Sequence, residues 1–179
     1  MPSVSIKKKL DTPLSKEQLC HMIGCKDEDI IPYSNLRNYD TIDELLPKDK
    51  DFKILLLEEQ KYRGHWVTLL RDNNIICYFN PYGNKPDRDM DCIPRIVRKM
   101  LGQDRPEITR LCRDYDVWYS DHKFQGPNSQ VCGRYAVYFV EMVCKMNYTP
   151  DQAIDKLIKA KESMKQHKTY DELIASLTP

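Results

Sequence analysis

A cysteine stands where a turn-rich loop meets an apolar run of helix length: Gln125-Gly126-Pro127-Asn128-Ser129-Gln130-Val131-Cys132-Gly133, then Arg134 to Met146. The dipole and free N–H groups at a helix start stabilise a thiolate, so this position suits a nucleophile better than a packed core thiol. Gly133 keeps that helix end open to a substrate's backbone. The other cysteines lack this setting. Cys77 falls in a strand and Cys144 in the helix that follows Cys132, where inert buried thiols are ordinary. Cys20, Cys25, Cys92 and Cys112 have no evident partner in the sequence.

A thiol nucleophile needs a base. His21 and His167 fall on amphipathic helices and read as solvated, and His122 lies in the polar loop Ser120-Asp121-His122-Lys123. His65 sits on a strand between Gly64 and Trp66. That strand leads through Asp72-Asn73-Asn74 into a second one ending Phe79-Asn80-Pro81-Tyr82-Gly83. With the turn centred near Asn73, antiparallel pairing sets His65 opposite Pro81 and within one position of Asn80. An asparagine oxygen that accepts from Nδ1 fixes the tautomer and leaves Nε2 for the thiol. Cys132, His65 and Asn80 then supply nucleophile, base and orienter. Gln125 precedes Cys132 across a proline-containing loop. Its side-chain amide, with the first N–H groups of the helix, offers donors for the oxyanion of acyl transfer.

These side chains depend on a hairpin, a loop and a central helix. Gly64 to Arg71 and Ile75 to Asn80 form the hairpin around Asp72-Asn73-Asn74, and Phe52 to Leu57 reads as a buried strand beside it. Asp29 to Tyr33 is limited by Pro32 to an edge or turn role. Val117 to Ser120 reads as a short strand leading to Gln125. Cys132 to Met146 forms the central helix: its charged residues, Arg134, Glu141 and Lys145, fall on one narrow stripe. Capping boxes at Ser15-Lys16-Glu17-Gln18, Thr41-Ile42-Asp43-Glu44 and Thr149-Pro150-Asp151-Gln152 open helices. The first runs to Gly24, the second is ended by Pro47, and the third runs to about His167. Asp91 to Leu101 reads as helix, with Pro94 in its first turn and Gly102 at its end. Gly102 to Asp116 is polar and carries no clear element. Thr169-Tyr170-Asp171-Glu172 opens a last short helix. The order of helix, sheet, then helices gives an α+β fold, in a single domain over residues 1–179.

Composition narrows the function. Twenty-eight Lys and Arg against 27 Asp and Glu leave a net charge of +1, so the whole chain implies no strongly basic or acidic partner. The lysines Lys156, Lys159, Lys161, Lys165 and Lys168 spread around their helix axis, as on a solvated face, and give little support for nucleic-acid binding. No apolar run is long enough to span a bilayer, so no membrane partner is expected. Lys7, Lys8 and Lys9 precede no apolar segment, so Met1 to Lys9 does not read as a signal peptide. Seven irregularly spaced cysteines then indicate a reducing, intracellular setting without disulfides. No ligand set for a metal emerges, since Cys20-His21 with Cys25 lacks a second pair.

Three stretches carry a family resemblance: Gly64-His65-Trp66, Tyr78-Phe79-Asn80-Pro81-Tyr82-Gly83, and Gln125-Gly126-Pro127-Asn128-Ser129 with Cys132-Gly133. Their order is similar to that of adenain, the adenovirus maturation protease, and of related proteases of virophages and Maverick-type elements. More distantly it resembles the SUMO-processing proteases. Tyr39 to Leu46 also looks like the region upstream of the histidine in virophage-type members, and the resemblance covers roughly residues 15 to 146. It implies a papain-like fold of the adenain/SUMO-protease type, a central mixed β-sheet flanked by helices with the nucleophile at the start of a buried central helix. It implies a cysteine endopeptidase acting on viral capsid or core precursors during virion maturation, in the host cytoplasm or nucleus and in the virion. By it, His65 is the base, Gln125 the oxyanion donor and Cys132 the nucleophile, and Trp66 roofs a narrow cleft that selects small residues. Asn80 departs from the family, which carries Asp or Glu there. A neutral orienter holds an imidazolium less firmly than a carboxylate. Members of this family can depend on a peptide or DNA activator; the charge balance here does not call for one, and no cofactor is expected. Two other readings stand beside this one: a protease for ubiquitin-like modifiers, and a non-catalytic binding module on the same fold.

Overall fold

Five strands form one mixed sheet in the order β1-β2-β3-β4-β5. The structure is a computed structural model that describes residues 4–179. Met1 to Ser3, the start of the stretch read above for a signal peptide, lie outside the described residues. In chain order the elements are α1 (Val4–Asp11), α2 (Lys16–Ile23), β1 (Ile30–Pro32), α3 (Ile42–Leu45), β2 (Phe52–Gln60), β3 (Arg63–Asp72), β4 (Ile75–Phe79), α4 (Arg95–Met100), α5 (Glu107–Leu111), β5 (Val117–Tyr119), α6 (Cys132–Val140), α7 (Pro150–Ser163) and α8 (Tyr170–Leu177). The edge strands β1 and β5 run parallel to their neighbours, and the β2-β3-β4 centre is antiparallel. Pro32 ends the short edge strand β1, a position where its missing N–H costs no ladder bond.

Local chemistry sets four of the helix starts. Ser15 and Gln18 close a reciprocal capping box on α2, as do Thr149 and Gln152 on α7. At α3 the Thr41 hydroxyl accepts from the Glu44 N–H, while the Glu44 carboxylate reaches back to the N–H of Asp40 rather than of Thr41. Thr169 caps α8 through the N–H of Glu172.

Strand periodicity sorts the core into two faces. Leu55 and Leu57 on β2, Val67 and Leu69 on β3, and Ile76 and Tyr78 on β4 pack with Tyr33, Leu36, Ile108 and Leu111 on one side. Leu70, Cys77 and Phe79 face Tyr135 and Phe139 of α6, and Ile54, Leu56 and Trp66 meet Ala136, Val137 and Val140. The ring of Phe139 stacks on Phe79 with centroids 4.4 Å apart and on Trp118 at 5.8 Å. Helix α6 is therefore pinned across the middle of the sheet. Burying each of its large side chains contributes roughly 1.5–3 kcal/mol.

Several elements depart from the sequence expectation. The helix expected over 91–101 starts only after Pro94; before it, Arg88–Cys92 forms a 3-10 turn that follows Asp87 at φ +64°. The segment that carried no clear element contains α5, whose first N–H donates to the Tyr33 hydroxyl at 2.6 Å. Helix α6 is α-helical only to Val140 and continues as a π turn, Glu141–Lys145. Arg134, on the charged stripe of that helix, is buried, and its guanidinium donates to the Thr178 hydroxyl at 3.2 Å and to the Pro179 carbonyl. Helix α7 stops at Ser163, and the turn beyond it folds His167 inward to 8% exposure, so His167 is not solvated. Cys20 and Cys25 do have a partner. The left-handed turn at Gly24 brings their sulfurs to 3.4 Å.

Candidate active site

Cys132 is the first residue of α6, and its thiol lies against the imidazole of His65, with which it shares a hydrogen bond. Both are buried, at 5% and 9% exposure. Burial opposes the Cys132 thiolate, but the His65 hydrogen bond and charge, with the N–H groups of Trp66 and Gly133, outweigh it and hold the thiol below its ordinary value. Burial likewise opposes the imidazolium. The Cys132 contact, then the bond to Asn80, then the charge of Asp89 outweigh it and raise His65 above its ordinary value. The pair is thus arranged for proton transfer from sulfur to nitrogen.

Asn80 meets His65, but through the other ring nitrogen from the one expected. His65 Nε2 stands 2.9 Å from Asn80 Oδ1, which leaves Nδ1 for the thiol. The register explains the approach. The ladder pairs Asp72 with Ile75 and Thr68 with Phe79, so its centre falls between Asn73 and Asn74 rather than at Asn73. Extended past the last pair, His65 lies opposite Tyr82, not Pro81. Asn80 becomes its diagonal neighbour on the same face, within side-chain reach. The Tyr82 ring stacks on the imidazole with centroids 4.5 Å apart.

The loop before α6 is held from three directions. The N–H groups of Phe124 and Gln125 both donate to the Pro81 carbonyl, at 2.9 and 3.0 Å, tying this loop to the end of β4. Gly126 N–H donates to Asp171 Oδ2 at 3.0 Å, and Asp171 Oδ1 takes the Tyr135 hydroxyl at 2.8 Å. Gln130 N–H donates to the Leu10 carbonyl at 2.8 Å. Gln125 is buried; its Nε2 donates to the Ser129 carbonyl at 3.0 Å, and its Oε1 has no partner. One amide hydrogen therefore stays free for another acceptor.

Trp66 and Gly133 shape the ground beside the thiol. Trp66 Nε1 donates to the Leu14 carbonyl at 3.0 Å, and the indole lines a groove of about 850 Å³. The groove runs past Gly64 to Gln130, with Leu14, Glu58 and Tyr62 also on its walls. At Gly133 the space beside the helix start is already filled. A Cβ there would stand 3.2 Å from Leu14 and Leu19 side-chain atoms and 3.3 Å from Trp66, so its role is close packing. Among the described residues, no group of three or more His, Cys, Asp or Glu is placed to hold a metal ion, and no helix is long and apolar enough to cross a membrane.

Two further residues belong to the site. Tyr82 lies within the hairpin motif Tyr78 to Gly83, where the sequence alone assigns it no role. Asp89, whose carboxylate accepts from Asn80 Nδ2, belongs to the acidic run Asp87-Arg88-Asp89-Met90-Asp91 just after the hairpin. That run was the available signal.

No protein-family model matches the chain. The uncharacterized protein V9 of Sputnik virophage is 36% identical over 129 residues, a match that spans 69% of this chain and 73% of that protein. Two solved structures of the SUMO protease Ulp1, with the catalytic cysteine oxidised to a sulfenic and to a sulfinic acid, align over 97% and 96% of this chain and 71% and 72% of theirs. Their sequence identities are 16% and 15% and their TM-scores 0.34 and 0.32.

Proposed function

The chain belongs to the family of the Sputnik virophage protein V9, and on that premise we propose that it is a cysteine endopeptidase that cleaves viral capsid or core precursors during virion maturation. The observation that carries this reading is the ordered contact of three side chains. The imidazole of His65 shares a hydrogen bond with the Cys132 thiol through one edge and meets Asn80 Oδ1 at 2.9 Å through the other.

Peptide hydrolysis follows from that order. His65 Nδ1 takes the thiol proton, and the Cys132 sulfur attacks the scissile carbonyl. The amide of Gln125 and the N–H groups at the start of α6 supply donors for the oxyanion. His65 returns the proton to the leaving amine, and an acyl-thioester remains on Cys132. Water, deprotonated by His65, then releases the acid and restores the thiol. The groove beside Gly64 and Trp66, the two residues that flank His65 in the chain, is suited to an extended peptide. Such an enzyme acts in the infected host cell and in the assembling virion.

The test is incubation of the purified protein with the capsid and core precursors of the same virus, with the products read by mass spectrometry. A ubiquitin-like precursor is run in parallel. Cleavage of a structural precursor that disappears in Cys132→Ala is the expected result. No cleavage of any viral precursor, with the ubiquitin-like precursor cut instead, would overturn the substrate assignment. Inertness toward all of them, with Cys132 unreactive to a thiol probe, would overturn the enzyme.

A further inference from the structure

Position 80 is neutral where a carboxylate would hold an imidazolium more firmly, yet a carboxylate stands one side chain further out. Asp89 accepts from Asn80 Nδ2 through Oδ2 and from Asn84 Nδ2 through Oδ1 at 2.7 Å. The fully buried Tyr78 hydroxyl also bonds Asp89 and lies 3.5 Å from Asn80 Nδ2. Both ends of the Asn80 amide are thereby decided by groups that have a single role. The main-chain N–H of Tyr82 only donates, and it lies 2.9 Å from Oδ1. The carboxylate of Asp89 only accepts, so the end facing it is the NH₂. His65 Nε2 meets Oδ1 and must carry the ring hydrogen. Nδ1 is then the unprotonated nitrogen that faces the thiol.

We propose that Asp89 is a positioning residue of the active site: it locks the Asn80 amide, and through it the Nε2–H tautomer of His65, and it supplies the negative charge that favours the imidazolium. Asn80 and Asp89 together replace the single carboxylate of a Cys-His-acid triad. The ion pair forms by passage of the thiol proton to Nδ1 alone; the hydrogen on Nε2 and those of the amide stay where they are. The other titratable groups around the pair do not take this role. The Tyr82 phenol, stacked on His65, is pushed up to about 12 by burial and then by the charge of Cys132. Burial lifts the Tyr78 phenol well above its ordinary value. Glu59, Asp171 and Asp89 all act on the Tyr82 phenol, and Asp89 acts on His65 as well.

This inference rests on the protease reading for its consequence, but its test does not need a protein substrate. Iodoacetamide alkylation of Cys132 is followed against pH by mass spectrometry in wild type, Asp89→Asn, Asn80→Asp and the Asn80→Asp/Asp89→Asn double variant. Asp89→Asn removes the charge and puts, in place of a group that only accepts, an amide that can present either end, so the Asn80 amide is no longer locked from that side. Its alkylation at about pH 6 falls roughly tenfold, and the profile moves to higher pH. Asn80→Asp alone sets two carboxylates in contact and is also impaired. The double variant exchanges amide and acid, so every donor again meets an acceptor, and its rate returns to within about threefold of wild type. Nitrogen NMR of the imidazole in a Cys132→Ala background gives a second readout: Nε2–H alone with Asp89 present, and a mixture of tautomers in Asp89→Asn. An Asp89→Asn profile and imidazole spectrum that both match wild type would overturn the role of Asp89. So would folded single variants that are impaired and a folded double variant that is no better than either. A wild-type Cys132 that alkylates no faster than in His65→Ala would instead overturn the protease reading.

Discussion

The imidazole of His65 lies on the ring of Tyr82, centroids 4.5 Å apart and planes inclined by 25°. That stack continues the β3–β4 register beyond its last ladder pair, Thr68 with Phe79. It makes Asn80 the same-face diagonal neighbour of His65. A shift of one residue in either strand would turn Asn80 to the opposite face of the sheet. The meeting of His65 and Asn80 is therefore a property of the hairpin turn, two residues long, eight positions away from His65.

The thiol and imidazole pair has a definite pH dependence. Cys132 sits below the ordinary 9.0 and His65 above the ordinary 6.5, each against the effect of burial. The depressed thiol contributes stability that is fully present above its unfolded value and is lost as pH falls through its folded one. The raised imidazole contributes stability that is present below its unfolded value and is lost as pH rises through its folded one. Alkylation of Cys132 should thus set in below the ordinary thiol range and fade only as pH drops through the lowered value. His65→Ala leaves burial unopposed by a cation, moves the half-point upward, and slows alkylation at neutral pH roughly tenfold or more. A wild-type half-point at or above the ordinary thiol value would contradict the ion pair.

Gln125 is the second test of the chemistry. Its Nε2 spends one hydrogen on the Ser129 carbonyl at 3.0 Å, and the loop that carries it is fixed by Pro81 and Asp171. A donor aimed at the oxyanion matters in the transition state more than in the bound substrate. Gln125→Ala should lower kcat by about 10²–10³ with little change in KM. Steady-state kinetics on a peptide spanning the cleaved bond measures both. An effect confined to KM would assign Gln125 to substrate binding instead.

Local chemistry was legible in the sequence, and three-dimensional approach was not. Ser15, Thr149 and Thr169 announce their helices because a hydroxyl and the N–H three residues on are neighbours in the chain as well as in space. The apolar run after Cys132 marks α6 because its periodicity is intrinsic to it. Helix α5 carries no side-chain cap of its own; its first N–H is met by Tyr33, 74 residues away. No local pattern encodes that contact. The ring nitrogen that faces Asn80 depended on a register set between Asn73 and Asn74, half a residue from the expected centre. The carboxylate behind Asn80 was written in the Asp87 to Asp91 run. Only the 3-10 turn over Arg88–Cys92 turns Asp89, rather than its neighbours, toward the amide.

The tip of the β2–β3 hairpin supplies a prediction on substrate recognition. Tyr62 is 79% exposed at φ +65° and stands on the wall of the groove that Trp66 lines. Its N–H is held by the Glu58 carboxylate at 2.6 Å, so the strained turn is braced from inside the hairpin. An exposed aromatic beside a groove contributes contact area to a bound peptide and nothing to the thiol. Tyr62→Ala should raise KM roughly three- to tenfold, about 0.7–1.4 kcal/mol of binding. Cys132 alkylation by iodoacetamide should stay unchanged. An unchanged KM for every cleaved peptide would place the substrate elsewhere.

Gly133 makes the strictest demand on packing. The residue lies inside α6, where alanine is the better helix former by up to about 1 kcal/mol, so propensity alone favours Gly133→Ala. The space is already filled. The added carbon would meet Leu14 Cβ and Leu19 Cδ2 at 3.2 Å and Trp66 Cδ1 at 3.3 Å. Leu14 Cβ cannot yield without its backbone, and the indole is tethered to that same backbone by its 3.0 Å bond to the Leu14 carbonyl. Overpacking of this kind costs about 1–3 kcal/mol, which outweighs the propensity gain. Gly133→Ala should melt a few degrees lower, about 2–4 °C for each net kcal/mol in a chain of this size. Because Leu14 and Trp66 both line the groove and are pressed together by the added carbon, peptide KM should rise as well. A melting temperature at or above wild type, with KM unchanged, would show that Leu14 and Trp66 yield freely and that close packing is not what the position requires.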